Sequence, residues 1–187
     1  MRKLIYAINV SLDGCVDHTK FSPDEGLMGF WTNFIRDAGL LAYGRITYQL
    51  MVPFWPGIAN NPTAETKTDV DFARTFDSVP KLVFSKSLTN VEDKNSLVRT
   101  APEDEIRKLK QEPGKNILLG GVAVPSYLAD LGLIDEFVFV VAPVVVGEGR
   151  RLLEGIKHAH KLKLVDAKPF RSGSIALRYA NPETESL

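Results

Sequence analysis

What most restricts the fold of this chain is the length of its apolar runs, which are short, nearly continuous and separated by segments of helical period. Runs at 3–10, 40–43, 81–84, 116–119, 137–141, 161–166 and 174–179 all have strand length, and several lack the alternation of a strand with one wet face. Such strands belong in a sheet covered on both sides. Between them, 24–36 sets Leu27, Phe30, Trp31, Phe34 and Ile35 on one helical stripe, so Trp31 and Phe34 read as core or pocket wall. Further helices are predicted over 71–76, from Pro102 to before Pro113, and over 122–131, where Gly132 supplies a stop. Arg171, Ser172 and Gly173 join the last two runs as an antiparallel hairpin. The fold class is therefore α/β, a mostly parallel central sheet with helices on both faces and a C-terminal antiparallel hairpin. The stretch 53–68, rich in Pro, Gly and Asn, reads as a long loop, with Trp55 placed to cap a planar heterocycle.

The 187 residues, 44% of them apolar, suit a single domain over 1–187. The longest apolar run, 137–146, is about half a membrane span and contains Pro143. The apolar start is broken by Asn9, Ser11 and Asp13 too early for a signal peptide, so the expected location is cytoplasmic, away from membranes. Lys plus Arg and Asp plus Glu balance at 23 each, without the basic excess that a nucleic-acid partner calls for. One cysteine, Cys15, excludes a disulfide framework within the chain and a Cys-only metal cage. It has no neighbouring base to activate it and reads as a spectator. His158 and His160 sit two apart with no third ligand nearby in sequence, so no metal site is expected.

Chemistry is expected where strands end. Gly44, Arg45 and Thr47 follow one apolar run and open a helix, offering backbone amides, a cation and a hydroxyl to a phosphate. Ser85, Lys86 and Ser87 end another run with hydroxyls around a cation. Gly120, Gly121, Val122 and Ala123 end a third and open a helix, where bare backbone can approach a pyrophosphate. Three such ends in one open sheet point to a ligand along its carboxyl edge.

These elements, taken in order with Ser11-Leu12-Asp13-Gly14 before them and Pro143-Val144-Val145-Val146-Gly147-Glu148-Gly149 after, resemble the reductase half of the bifunctional riboflavin-biosynthesis deaminase-reductase. That family is a branch of the dihydrofolate reductase-like superfamily, and the resemblance runs from about Leu4 to Tyr179. It implies a dihydrofolate reductase-like fold and an NADPH-dependent reductase of a pyrimidine- or pteridine-like substrate, of the 5-amino-6-(5-phosphoribosylamino)uracil reductase type. By the same resemblance Gly44, Arg45 and Thr47 hold the adenosine side of the cofactor. Ser85 and Lys86 take the 2′-phosphate that distinguishes NADPH from NADH. Gly120, Gly121, Val122 and Ala123 serve the pyrophosphate, while Asn9 and the segment 13–16, including Val16, flank the nicotinamide.

The acid of the first helix in dihydrofolate reductases falls near Met28 here, which argues against that enzyme as the alternative. Asp13 and Asp24 are the acids left as catalytic candidates. Each has a second reading, Asp13 as a turn-former before Gly14 and Asp24 as a helix N-cap. Glu148, Arg150 and Arg151 lie where a substrate phosphate could enter, or form a solvated charge cluster. A protein that binds NADPH without catalysis is the reading from another class. A homodimer is expected, from the apolar 137–146 run with its terminal hairpin and from the habit of the family it resembles.

Overall fold

The computed structural model describes residues 1–20, 23–61, 66–88, 91 and 96–184. In chain order the elements are β1 (Leu4–Ser11), α1 (Glu25–Arg36), β2 (Ala38–Gly44), α2 (Arg45–Asn60), α3 (Lys67–Ser78), β3 (Lys81–Phe84) and β4 (Ser96–Arg99). Then come α4 (Pro102–Gln111), β5 (Asn116–Gly120), α5 (Ala123–Asp130), β6 (Glu136–Ala142), β7 (Lys163–Pro169) and β8 (Ile175–Ala180). They build one eight-stranded sheet in the order β4-β3-β2-β5-β1-β6-β8-β7. The pairs from β4 to β6 are parallel, and β8 and β7 close one edge as an antiparallel pair.

Side chains of β1 alternate between two cores because successive Cβ atoms point to opposite faces. Leu4 and Tyr6 join Ile106 of α4 and Leu128 and Ala129 of α5. Ile5 joins Met28 and Ile35 of α1, Tyr48 and Val52 of α2, and Phe72 and Phe76 of α3. Both faces are thus covered, which is why these strands carry unbroken apolar runs.

The connection after β1 leaves through α1 toward β2, and the one after β5 leaves through α5 toward β6. Neighbouring strands whose connections diverge in this way open a crevice at their carboxyl ends, the switch point where open α/β sheets bind ligands.

Three features depart from the sequence reading. Residues 53–60 continue helix α2 rather than forming a loop, although Pro53 and Pro56 lie inside it. The helix persists because Val52 and Ile58 are buried and the Trp55 ring packs 4.4 Å from Phe72 of α3. Tertiary burial there outweighs the lost backbone bonds. Trp55 is accordingly a helix–helix contact and not a loop cap; of the expected loop, 62–65 lie outside the described residues. Strand β4 was invisible in sequence because Ser96–Arg99 is a four-residue edge strand beside a charged stretch. Finally, β6 lies inside the sheet between β1 and β8, so its Phe137, Val138 and Val140 are buried within the chain and demand no second copy. At the edge opposite β4 lies β7, exposed along all seven residues, with Leu164 and Val165 about half exposed. No helix among the described residues is long and apolar enough to cross a membrane.

Candidate functional site

The carboxyl ends of β3, β2, β5, β1 and β6 line up along one edge, and each carries residues singled out from the sequence. Three inter-strand steps separate β3 from β1, roughly 14 Å.

At the β2 end, Gly44 is the N-cap of α2 and makes no side-chain cap, so the first-turn amides of α2 are left for other partners. Val122 plays the same part for α5. The two helix starts are pressed together. A Cβ on Gly121 would lie 2.6 Å from Thr47 Oγ1, and Gly121 has φ +96°, a conformation that favours glycine. A Cβ on Gly120 would lie 2.7 Å from the Tyr43 ring, and one on Gly44 would lie 3.3 Å from Val124. No side chain can intrude at this turn, which leaves bare backbone and two open helix starts side by side, a donor set suited to a pyrophosphate. Tyr6, which the sequence reading passed over, fixes the turn from beneath. Its buried hydroxyl donates to the Gly121 carbonyl at 2.8 Å, and burial pushes its pKa up. An apolar strand with a tyrosine facing a glycine turn across the sheet gives no local sequence signal.

At the β3 end, Ser85 is buried and its Oγ accepts from the amides of Ser87 and Leu88 at 3.2 and 2.9 Å. Those bonds shape the turn, and the Ser87 hydroxyl lies 3.4 Å from the Ser85 Oγ, either one able to donate to the other; Lys86 beside it is exposed. Arg45 is exposed too, reaching Gln49 Oε1 at 3.0 Å.

The β1 and β6 ends are joined by Asp13. Its carboxylate accepts from Ser11 Oγ at 2.6 Å, Gly147 N at 2.7 Å and Val146 N at 3.1 Å. Those bonds, the Ser11 hydroxyl first, hold its pKa well below the usual carboxylate range. Arg151 completes the clasp. It donates to the carbonyls of Asp13 and Gly147, and its guanidinium lies 3.9 Å from the Asp13 carboxylate. Backbone bonds from Leu12 to Val144, from Val16 to Arg150 and from Leu152 to Gly14 run alongside. Cys15 is buried in this clasp, its amide donating to Ser11 Oγ at 2.8 Å. Arg151 is thereby committed to the protein rather than to an incoming phosphate.

Asp24 is the N-cap of α1. Its Oδ1 accepts from Leu27 N at 2.7 Å and its Oδ2 from Ser172 N at 3.0 Å, tying the helix to the β7–β8 hairpin. The Leu27 bond leads in lowering its pKa.

Between these anchors lies a cavity of about 190 Å³. Leu27, Val140, Ala142, Pro143 and Val144 form its apolar walls, and Asn9, Lys20, Ser172 and Ser174 supply polar groups. Among the described residues that line it, Lys20 carries the only charge. A second depression, about 420 Å³, runs along α5 from Val122 and Ala123 at its start to Asp130 at its end, with Arg150 and Lys157 set against Asp130 and Glu154. The smaller cavity lies at the carboxyl ends of β1 and β6, and the larger one reaches the turn after β5. His158 contacts Asp130 at 3.1 Å and His160 lies 3.9 Å from Glu183, and neither lines either cavity. No group of three or more metal-ligating side chains forms among the described residues.

Comparison with known proteins matches residues 2–176 to the family described as the RibD C-terminal domain. The uncharacterized protein YyaP of Bacillus subtilis (strain 168) is 31% identical, covering 95% of this chain and 94% of its own. Among solved structures, a putative riboflavin biosynthesis protein from Shewanella superposes with a TM-score of 0.71 at 20% identity, over 96% of this chain and 98% of its own. A Thermotoga maritima deaminase/5-amino-6-(5-phosphoribosylamino)uracil reductase gives 0.66 at 15% identity, over 96% of this chain and 56% of its own. Dihydrofolate reductase from Enterococcus faecalis, complexed with NADP(H), gives 0.65 at 14% identity, over 96% of each chain. At these identities the structures establish a shared dihydrofolate reductase-like fold.

Proposed function

Because the chain belongs to the RibD C-terminal domain family, we propose that it is an NADPH-dependent reductase of a pyrimidine- or pteridine-like heterocycle, of the 5-amino-6-(5-phosphoribosylamino)uracil reductase type. The observation that carries this reading is the alignment of the glycine turn at Gly120–Gly121, the Ser85–Lys86 turn and the 190 Å³ cavity along one sheet edge. The spacing suits an extended dinucleotide whose reactive end reaches the cavity.

In this reading the amides around Gly120, Gly121, Val122 and Ala123 hold the pyrophosphate, and Gly44, Arg45 and Thr47 hold the adenosine side next to it. Ser85 donates to the 2′-phosphate, and Lys86 and Arg45 supply cations beside it. Asn9 and Val16 flank the nicotinamide. When bound, NADPH supplies the hydride. The chain's own work is to hold an electrophilic carbon of the substrate close to that hydride and to exclude competing water.

Asp13 and Asp24 position rather than protonate. A general acid needs a raised pKa near the working pH, and both carboxylates are pulled the other way by backbone and hydroxyl donors. Asp13 locks the loops after β1 and β6, and Asp24 locks α1 to the hairpin. The proton for the reduced product then comes from water or from a group on the substrate.

Dihydrofolate reductase is the weaker alternative, since the described cavity wall presents Lys20 and no carboxylate to a pterin. The deciding assay is loss of nicotinamide absorbance with the aminouracil ribosyl phosphate or with dihydrofolate. Turnover of the former supports the proposal, turnover of dihydrofolate replaces it, and tight NADPH binding without turnover of either substrate points to the non-catalytic alternative.

A further inference from the structure

Asn9 is the one uncharged side chain on β1 that both lines the cavity and bonds to another element. Its Oδ1 accepts from the Trp31 indole Nε1 at 3.0 Å. An indole nitrogen can only donate, so the amide atom facing it must be the oxygen, and the orientation of the amide is settled by chemistry. The Asn9 backbone is paired with Val140 in the β1–β6 ladder. What remains is the NH₂ group, which has no protein partner among the described residues.

Trp31 is itself immobilised. Its ring meets Phe30 at 5.2 Å and Phe34 at 5.8 Å, both edge to face, and it packs on the core beneath α1. A rigid indole therefore fixes the rotamer and the polarity of Asn9, and a free asparagine, able to turn its oxygen or its nitrogen to a ligand, becomes a dedicated donor.

We propose that Asn9, held by Trp31, presents its amide N–H to a carbonyl oxygen of the bound ligand, making Asn9 a specificity residue of the cavity and Trp31 a positioning residue. This rests on the reductase reading above. Two ligands offer that chemistry there, the carboxamide of the nicotinamide and a ring carbonyl of the substrate heterocycle. In either case a ligand with an N–H at that point meets donor against donor and is rejected.

The test uses the full chain as wild type, Asn9→Asp, Asn9→Ala, Trp31→Phe and the Asn9→Ala/Trp31→Phe double variant. Asn9→Asp keeps the shape and the acceptor for Trp31 but removes the donor. NADPH affinity is measured by titration and, for the aminouracil substrate, KM and kcat separately. A donor aimed at the cofactor weakens NADPH binding about tenfold in Asn9→Asp with substrate KM unchanged. A donor aimed at the substrate raises KM about tenfold and spares NADPH. In both cases Trp31→Phe gives a smaller loss of the same kind, and no further loss in the Asn9→Ala background, as coupled residues must.

A readout independent of turnover is the indole N–H signal of Trp31 in nuclear magnetic resonance, one of only two in the chain. It shifts downfield-to-upfield on Asn9→Ala if the bond exists. An unmoved signal, additive losses, or Asn9→Asp within twofold of wild type in both affinities overturns the inference. Wild-type protein that binds no NADPH overturns the reductase reading, and this inference with it; binding with indifferent variants overturns the inference alone.

Discussion

The two halves of the sheet's carboxyl edge are built differently. The β3–β2–β5 half is made of backbone: glycines too close to Tyr43 and Thr47 to carry side chains, two uncapped helix starts and a serine-shaped turn. The β1–β6 half is made of side chains that meet across the sequence: Asp13 with Val146 and Gly147, Asn9 with Trp31, and Asp24 with Ser172. A backbone cradle recognises what every dinucleotide shares. A cavity walled by chosen side chains recognises what is particular to one substrate. On the proposed reading, cofactor binding tolerates side-chain changes outside its turns, whereas substrate choice turns on a few long-range contacts.

The sharpest way to break the backbone half is Gly121→Val. Its Cβ has 2.6 Å to Thr47 Oγ1 and must adopt φ +96°. NADPH affinity should fall about a hundredfold or more as the turn is displaced from the helix starts. The strained backbone alone costs about 1–2 kcal/mol, so thermal melts should still report a folded chain. Unchanged affinity would move the pyrophosphate elsewhere.

Asp13→Asn probes the other half. The amide that replaces one oxygen points a donor at Gly147 N or Val146 N, so the clasp opens on one side. We expect kcat/KM to fall by about ten- to a hundredfold through misplacement of the cavity walls, with NADPH affinity within about threefold. Equal losses in both would merge the two halves into one. The carboxylates also set a pH limit. Asp13 and Asp24 have folded-state values below the ordinary 3.8, so their stabilisation is complete above that value and is lost as the pH falls below it. Acid unfolding of Asp13→Asn should accordingly be less steep than that of wild type, and neither carboxylate should produce a limb in the rate profile near neutrality.

Lys86→Ala should leave NADH binding alone and lower the preference for NADPH about tenfold. A preference that survives in full would shift recognition of the 2′-phosphate to Arg45 and Ser85.

The smallest effect on catalysis belongs to the edge. Strand β7 has no strand on its outer side, and antiparallel pairing there with a second copy about Ala167 would set each Asp166 opposite a Lys168. Sedimentation should find twice the 20.7 kDa chain mass, and Val165→Lys should shift it toward monomer with turnover within about twofold. A wild-type monomer at micromolar concentration would remove the homodimer expectation.

The backbone half was legible in sequence because its signals are local. A glycine pair or a Gly-Arg-x-Thr turn sits where a strand stops and a helix starts, within four residues. The side-chain half was only partly legible. Asp13 and Asp24 were picked out as acids, but whether each would donate a proton or accept backbone bonds depended on partners 133 and 148 residues away. Asn9 was placed by family resemblance, while the Trp31 bond that orients it depends on how α1 lies on β1. The same limit explains residues 53–60, where local Pro and Gly signals predicted a loop and packing of Trp55 against Phe72 kept a helix.

In the proposed complex a dinucleotide spans both halves, with its common part on the backbone cradle and its reactive ring beside Asn9. A crystal structure of the chain with NADPH tests this most directly. The account predicts the 2′-phosphate at Ser85 and Lys86, the pyrophosphate at the Gly120–Gly121 turn between the starts of α2 and α5, and the nicotinamide in the cavity bordered by Asn9, Leu27 and Pro143. NADPH with its pyrophosphate away from the Gly120–Gly121 turn, or with its nicotinamide away from Asn9, would contradict it.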